Sequence, residues 1–355
     1  MNTRKVSVAI YMLMIICLCT ILAGCSSRQD TAEADHDVAE DDLIVVGFSQ
    51  IGSESYWRNA NTESMQSVFT KENGFRLIFE NAQQKQTNQI TAIRSFIQRD
   101  VDYIVLAPVV ETGWDTVLSE AKEAGIPVII VDRQVDVSDD SLFTCWVGSD
   151  FELEGMLVCM WMSKYFNMRG IQPSAIHIAD IQGTLGSSAQ IGRTKGFKHM
   201  SQLYGWDVVA YEEGEFTKSK GKEAMSEILA SHKDVNVVYC ENDSEALGAV
   251  EALEAAGKKC GSNITKGEVM LVAFDGVNEE ARAKVAEGKI SCIGECNPLH
   301  GPRVESIIRK LEAGERPEKY QYVTEGIFAN TSDIPSVMIS GQERTVTVIT
   351  KKDLQ

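Results

Sequence analysis

The stretch Leu43-Ile-Val-Val-Gly-Phe-Ser-Gln-Ile-Gly-Ser-Glu-Ser-Tyr-Trp-Arg58 sets the pattern of the whole sequence. It begins with a short apolar run, Leu43–Phe48, continues through polar residues and ends where a helical pattern starts. The same order repeats along the chain. Because short apolar runs that alternate with longer stretches of helical period are typical of βαβ units, the sequence predicts an α/β fold with parallel sheets.

The repeated pattern predicts both the strands and the helices. The predicted strands are Leu43–Phe48, Arg76–Glu80, Tyr103–Ala107, Val128–Val131, Ala175–Ile178, Asp207–Tyr211, Val237–Cys240, Val269–Phe274 and Ile290–Glu295. The predicted helices are Tyr56–Glu72, Gln83–Arg99, Trp114–Ala124, Phe151–Phe166, Ala189–Leu203, Gly221–Ser231, Ser244–Ala256, Glu279–Glu287 and Pro302–Ala313. Roughly 310 ordered residues are too many for one comfortable hydrophobic core, so two doubly wound domains are expected.

Polar clusters follow most of the predicted strands directly. In doubly wound sheets, ligands bind outside the carboxyl ends of the strands, where the loops project. The regular placement of these clusters therefore predicts one shared cleft. They are Gln50–Arg58, Pro108–Trp114, Asp132–Arg133, Gly183–Arg193, Asn242–Asp243, Asp275–Gly276 and Glu295.

The N-terminus has the features of a signal peptide over residues 1–24. Arg4 and Lys5 precede an apolar run that is short of the roughly 20 residues a membrane-spanning helix needs. The run ends in Leu22-Ala-Gly-Cys25, which resembles a bacterial lipobox, so Cys25 is predicted to be acylated. Residues 25–42 then form a polar, acidic and flexible linker. A membrane-spanning anchor with an incidental cysteine is the alternative.

Charge and cysteine usage exclude several classes of protein. A formal net charge of -17, without a Lys/Arg-rich groove sequence, argues against nucleic-acid binding. The cysteines beyond Cys25 have neither the close pairs nor the histidine partners of a metal site, so no metal is expected. Several lie in apolar runs and are expected to be core thiols, although a disulfide between Cys292 and Cys296 remains open. These cysteines are Cys145, Cys159, Cys240, Cys260, Cys292 and Cys296.

Signatures of catalysis are missing from the sequence. No GxGxxG follows the first predicted strand, and no GxSxG, Walker loop or HExxH occurs. Two carboxylates of the cleft could serve glycoside hydrolysis, which leaves one enzymatic alternative open. A binding protein without a cofactor is the favoured interpretation.

Several segments, taken in their order along the chain, carry a family resemblance. They are Val46–Arg58, Gln83–Gln86, Ala107–Trp114, Asp132–Arg133, Gln182–Thr184, Phe216–Gly221, Glu241–Asp243 and Phe274–Gly276. In these segments the chain resembles the periplasmic sugar-binding proteins related to the LacI-type repressors, and most closely the galactofuranose-binding group. The resemblance extends from about Ile44 to Ser332.

The resemblance implies two Rossmann-like lobes joined by a three-strand hinge, with crossovers near Ser149, Glu295 and Glu325. The N-terminal lobe is expected to take residues 43–149 with 295–325, and the C-terminal lobe residues 150–294 with 326–355. The implied function is that of a monomeric substrate-binding protein, which closes over a monosaccharide and delivers it to the permease of an ABC importer. A subunit that presents its sugar to a membrane sensor kinase is the alternative.

The resemblance also implies which first-lobe side chains hold the sugar. The loop residues Glu54, Ser55, Tyr56, Trp57 and Arg58 are expected to meet it, with Trp57 as a stacking surface. In the alternative interpretation, Trp57 is a core residue at the start of a helix. Asp132 and Arg133 follow a predicted strand, and as neighbours of opposite charge they are expected to hold each other in place while both reach hydroxyl groups. A purely structural ion pair is the alternative.

In the second lobe the resemblance implies Arg193, Asn242 and Asp275 as ligand residues, with Phe216 and Glu295 as weaker candidates. Asn and Asp are favoured helix caps, so capping competes with ligand binding, and either Asn242 or Asp243 could be the cap. The sequence leaves open whether the sugar is a furanose or a pyranose.

Overall fold

The computed structural model describes residues 42–354. The predicted signal peptide, the predicted acylation site Cys25 and the predicted linker up to residue 41 lie outside the described residues. Within the described range, no helix is both long and apolar enough to cross a membrane.

The described strands form two sheets. The first sheet has six strands in the order β12-β5-β4-β3-β1-β2, and the second has nine, in the order β14-β15-β13-β11-β10-β8-β6-β7 with β9 paired to β10. The strands are β1 (Ile44–Gln50), β2 (Phe75–Asn81), β3 (Tyr103–Leu106), β4 (Val128–Val131), β5 (Cys145–Gly148), β6 (His177–Gln182), β7 (Asp207–Glu213), β8 (Val237–Cys240), β9 (Lys259–Cys260), β10 (Glu268–Asp275), β11 (Cys292–Glu295), β12 (Tyr320–Tyr322), β13 (Ile327–Ala329), β14 (Ser336–Ile339) and β15 (Gln342–Val348).

Helices cover both faces of each sheet. They are α1 (Tyr56–Val68), α2 (Gln86–Gln98), α3 (Asp115–Glu123), α4 (Phe151–Met168), α5 (Ser188–Tyr204), α6 (Lys218–Ser231), α7 (Asp243–Ala255), α8 (Glu279–Ala286) and α9 (Gly301–Glu312). On the first sheet, α2 and α3 pack against one face, and α1 and α9 against the other. On the second sheet, α4 and α5 cover one face, and α6, α7 and α8 the other.

Burial on both faces explains the composition of the central strands. β3 reads Tyr-Ile-Val-Leu and β4 reads Val-Ile-Ile-Val, and every residue of both is buried. Strands that are covered by helices on both faces read as continuous apolar runs, which is why these two were recognisable in the sequence. They place the polar residues that follow them at one edge of the first sheet.

The chain passes between the two sheets three times. It leaves the first sheet after β5, returns after β11 and leaves again after β12. All pairs of the first sheet are parallel. In the second sheet, the late strand β13 joins β11 in antiparallel orientation, and β14 pairs antiparallel with β15.

The predicted α/β fold with two doubly wound lobes is confirmed, but the pattern missed six strands. β5, β9 and β12 to β15 were not predicted. The strand predicted from Ala175 begins at His177, because Pro173–Ala175 form a short 3-10 turn. The disulfide alternative is wrong, because Cys292 and Cys296 are both free thiols in buried positions. The other four described cysteines are likewise free and buried.

Candidate ligand-binding cleft

One cavity lies between the two sheets and takes its lining from both. Its empty volume, including the part open to solvent, is about 310 Å³. From the elements of the first sheet it is lined by Glu54, Ser55, Trp57, Arg58, Asp132 and Arg133, and from those of the second by Phe151, Ala189, Arg193, Phe216, Asn242, Asp275 and Cys296.

Arg58 is the centre of a charge network in the first lobe. Its Nη2 donates to Asp132 Oδ2 at 2.8 Å and its Nε to Glu54 Oε1 at 3.2 Å. Burial would lower the pKa of Arg58, but the two carboxylates together raise it. The second oxygen of Glu54, Oε2, is buried and accepts no hydrogen bond. A hydroxyl group of a ligand could therefore donate to it.

Arg133 is held without a carboxylate. Its Nη1 donates to the Val109 carbonyl at 2.7 Å, and its guanidinium lies over the Phe216 ring, 5.1 Å from the centroid. Burial, together with the nearby Arg58, lowers the pKa of Arg133 to about 10. The prediction that Asp132 and Arg133 hold each other is wrong, because Asp132 bonds to Arg58 instead.

The backbone at Asp132 explains this outcome. Asp132 has a φ of 63° and thus lies in the left-handed region, which is uncommon for residues other than glycine. Asp275, the last residue of β10, has a φ of 83°. Non-glycine residues in this region persist where the surroundings impose them, and they cluster at functional sites. The chain therefore turns sharply at two acidic residues, one from each sheet, that both line the cavity.

Arg193 is the matching centre of the second lobe. It lies in α5 and donates from Nε to Glu154 Oε2 at 2.8 Å and from Nη2 to Asp275 Oδ1 at 3.1 Å. A third donor, Nη1, bonds to the Glu241 carbonyl. Burial would lower the pKa of Arg193, but Glu154 and Asp275 raise it well above the usual value. This arginine is thus fixed by the protein itself.

Three aromatic rings complete the wall. Trp57 donates from Nε1 to the Cys296 carbonyl at 2.8 Å and lies beside Arg58, so it is both a buried residue at a helix start and part of the lining. Phe216 lies opposite, under Arg133. Phe151, the first residue of α4, contributes a third ring. Flat apolar faces between hydrogen-bonding groups suit a ligand that has both C–H faces and hydroxyl groups.

Asn242 lines the cavity, but it also caps a helix. Its Oδ1 accepts from the backbone N–H of Glu245, and the Glu245 carboxylate accepts from the N–H of Asn242, which completes a capping box for α7. The side-chain amide also donates to the Phe216 carbonyl at 3.0 Å. Asn242, and not Asp243, is therefore the cap, and it orients the loop that carries Phe216.

Two predicted site residues do not reach the cavity. Tyr56 is 59% exposed, because it precedes Trp57 and Arg58 on α1, and adjacent helix residues point in different directions. Glu295 turns away from the cavity and accepts a hydrogen bond from Gly326 N at 3.0 Å. Ser55 does line the cavity, but its hydroxyl caps α1 by accepting from Arg58 N.

The sequence prediction missed three lining residues, namely Phe151, Ala189 and Cys296. Phe151 follows β5, a strand that was not recognised, so its place after a strand end gave no signal. Ala189 lies in the Gly183–Arg193 cluster, but a methyl group carries no chemical signature. Cys296 directly follows the predicted strand that ends at Glu295, and the alternation of side chains along a strand could have pointed to it.

The lobes touch each other beside the cavity. Gln134 N donates to Ser188 Oγ at 2.8 Å, and Glu111 N donates to the Gly186 carbonyl at 3.1 Å. Each bond joins a residue from the first lobe to one from the second. The structure therefore shows the closed arrangement, in which a small polar molecule would be enclosed by side chains of both lobes. Fold and cleft together define the class, a two-lobed binding protein for small polar ligands.

Comparisons with known proteins give the family. Residues 46–298 match the model of the periplasmic binding protein domain. The galactofuranose-binding protein YtfQ of Escherichia coli (strain K12) is 39% identical over 78% of this chain and 85% of its own length. The chain therefore belongs to the periplasmic binding protein family. The family members to which it is similar are extracytoplasmic substrate-binding proteins and not enzymes.

Solved structures agree with this assignment. A Mycobacterium smegmatis protein in complex with β-D-fucofuranose is 40% identical, with a TM-score of 0.76 over 81% of this chain and 91% of that one. The periplasmic binding protein of the arabinose ABC transporter from Shewanella sp. ANA-3, bound to α- and β-L-arabinofuranose, is also 40% identical. Its TM-score is 0.73 over 80% of this chain and 91% of that one.

Proposed function

We propose that this chain is the substrate-binding lipoprotein of an ABC sugar importer. It captures a monosaccharide, a galactofuranose-like sugar or a related pentose or hexose, and delivers it to a membrane permease. The protein works as a monomer outside the cytoplasm and is tied to the membrane through an acylated Cys25. No enzymatic step is part of this role.

The observation that carries the proposal is the closed cavity between the lobes. Three arginines and three carboxylates line it, interleaved with aromatic rings. Because these opposite charges are equal in number, the lining suits a neutral ligand with many hydroxyl groups. The furanose sugars bound to the similar Mycobacterium and Shewanella proteins support a five-membered ring as the ligand.

The residues proposed to contact the sugar come from both lobes. They are Glu54, Trp57, Arg58, Asp132, Arg133, Phe151, Arg193, Phe216, Asn242 and Asp275. The lobe boundaries proposed are residues 43–149 with 295–325 and 150–294 with 326–355, and the three chain passages between the sheets support them. Since ligand contacts to both halves exist together only in the closed form, the sugar shifts the population toward closure.

The permease is the proposed reader of the closed form. The similar Shewanella protein is described as a component of an ABC transporter, which supports an importer as the partner. A sensor-kinase partner, the alternative weighed from the sequence, is not favoured by these relatives. Association with a permease and not a kinase in a membrane pull-down would distinguish the two.

A binding screen tests the proposal. The chain from Ser26 onward is titrated calorimetrically with arabinose, galactose, fucose, ribose and glucose, and its thermal unfolding is followed with each sugar. A ligand at 100 times its Kd should stabilise the fold by about 2.7 kcal/mol. We expect this effect with sugars that populate the furanose form, and no effect with glucose. If every sugar leaves both heat and unfolding temperature unchanged, the proposal is wrong.

A further inference from the structure

The three passages of the chain between the sheets meet in one buried polar cluster. Ser149 follows β5, Cys296 follows β11, and Glu325 lies between β12 and β13. Ser149 Oγ donates to Glu325 Oε1 at 2.8 Å and lies 3.4 Å from Cys296 Sγ. Asn297 N donates to the same Glu325 oxygen at 2.6 Å. One group from each passage is thus fixed to the others.

Glu154 connects this cluster to the cleft. Its side chain, on α4, is only 3% exposed, and its Oε2 accepts from Arg193 Nε at 2.8 Å. Its other oxygen, Oε1, is buried and accepts no hydrogen bond of good geometry, although the Cys296 thiol lies close enough to lower the pKa of Glu154. The carboxyl groups of Glu154 and Glu325 and the Cys296 thiol lie within 4.8 Å of one another. A buried acceptor without a donor is costly, and two buried carboxylates this close cannot both be ionised cheaply.

We propose that Glu154 is a positioning residue for the cleft arginine Arg193, and that in the closed form it shares one proton with Glu325 across the hinge. The proton gives Glu154 Oε1 the donor that it lacks. It also joins the three chain passages to the arginine that the ligand would meet. The inference rests on the proposed function, because sugar affinity is one of its readouts.

The charges around the pair set the direction of its titration. Burial raises the pKa of Glu154 to about 7, with Arg193 opposing and Asp275 adding to the rise. Burial and the neighbouring Glu154 raise the pKa of Glu325 well above its usual value. Cys296 faces both carboxyl groups, and Arg303 on α9 faces Glu325. Among the described residues, Arg193 is the cation that pairs with Glu154, and it is already shared with Asp275, so the proton is retained.

Opening of the lobes admits water to the cluster. The pKa of the Glu154–Glu325 pair then returns toward the ordinary glutamate value of about 4.3. Closure therefore takes up a proton. The pKa of the pair is raised in the closed form, so the shared proton stabilises the closed form fully at pH values below the ordinary pKa. It is lost as the pH rises through about 7. Sugar affinity should follow the same course.

The test compares the wild-type chain with Glu325→Gln, in EDTA so that trace metal ions do not contribute. From pH 6 to pH 8 we expect the wild-type Kd for its sugar to rise about tenfold. In Glu325→Gln the amide donates to Glu154 at every pH, so the Kd should change less than about twofold. Calorimetry in two buffers of different ionisation enthalpy should show proton uptake on binding at pH 7 in the wild type alone. Equal pH profiles in the two chains contradict the shared proton.

A matched control and a ligand-free readout keep the inference separate from the proposed function. Glu312→Gln removes a carboxylate that accepts from the Tyr103 hydroxyl, outside the cluster, and should follow the wild-type profile. Infrared difference spectra of wild type minus Glu325→Gln are recorded without sugar, on chains whose lobes are held closed by a disulfide between Gln134→Cys and Ser188→Cys, and should show a carboxylic-acid carbonyl band that titrates near pH 7. If no sugar binds but this band is present, the proposed function fails and the proton pair stands. If a sugar binds and neither band nor pH effect is found, the pair is wrong.

Discussion

Arg133 and Arg193 line the same cleft, one from each lobe, but the protein holds them in opposite ways. Arg193 donates to the carboxylates of Glu154 and Asp275, whereas Arg133 donates to a backbone carbonyl and lies over a phenyl ring. Among residues 42–354, no carboxylate comes within ion-pair distance of Arg133. The second lobe thus fixes its arginine in advance, while the first lobe keeps a buried cation whose remaining donors are left for a ligand.

The largest effect on stability is expected at Arg193. Replacement by leucine, Arg193→Leu, leaves Glu154 and Asp275 buried without their cation, and breaking such a pair from one side costs about 3–5 kcal/mol. The free energy of unfolding in urea at pH 7, without ligand, measures this loss. Arg94→Leu is the control, because its ion pair with Glu120 is exposed and its loss should have a much smaller effect. Equal effects of the two substitutions would contradict the description of Arg193 as fixed by buried charges.

Arg133→Leu should separate binding from stability. We expect the calorimetric affinity for the sugar to fall at least about 100-fold, because a charged donor to the ligand is lost. The free energy of unfolding should stay level or increase. Burial already lowers the pKa of Arg133 to about 10, so the folded state disfavours this charge, and the relief from burying it offsets the loss of the Val109 hydrogen bond and the Phe216 contact. An undiminished affinity would remove Arg133 from the site.

The smallest effect is expected at the ring under Arg133. Phe216→Ala removes a cation–π contact and one wall of the cleft, and should weaken sugar binding about tenfold. Tyr211→Ala is a matched control, because Lys198 lies over the Tyr211 ring at 4.8 Å, but this pair is outside the cleft. Calorimetric titration of both variants measures the difference. If the control weakens binding as much as Phe216→Ala, the ring has no specific role.

The sequence predicted the parts of the fold whose signal is local. β3 and β4 are buried on both faces, so their apolar runs stood out, and the predicted bounds of β4 agree with the structure. β5 is as short as β3 and β4, but it escaped because its Cys-Trp-Val-Gly run ends in glycine, which is uncommon in strands. β14 and β15 form a hairpin of partly exposed strands, whereas the short strands β12 and β13 pair with β5 and β11, which lie far away in the chain. Their pairing depends on tertiary contacts that a local pattern does not contain.

The sequence predicted where the candidate site lies, but not which of its side chains bond to one another. Polar residues after the strands did converge on one cavity, because the carboxyl ends of parallel strands share an edge. The partner of Asp132 was not predictable, since adjacency in sequence suggested Arg133. The left-handed turn at Asp132 instead directs its carboxylate to Arg58, 74 residues earlier in the chain. Glu154, which holds Arg193, lies in the first turn of α4, where an acidic residue is ordinary, and carried no signal of its own.

Because the chain passes three times between its sheets, a single proteolytic cut does not separate the two lobes. A protease that cleaves after β5 leaves the first sheet still joined to the second through the two later passages, and β5 stays hydrogen-bonded to β12. Removal of the chain from β12 onward is more damaging, because it takes the edge strand β12 from the first sheet and the three strands β13 to β15 from the second. Neither lobe can therefore be cut out as one continuous fragment, and a nicked molecule should remain assembled.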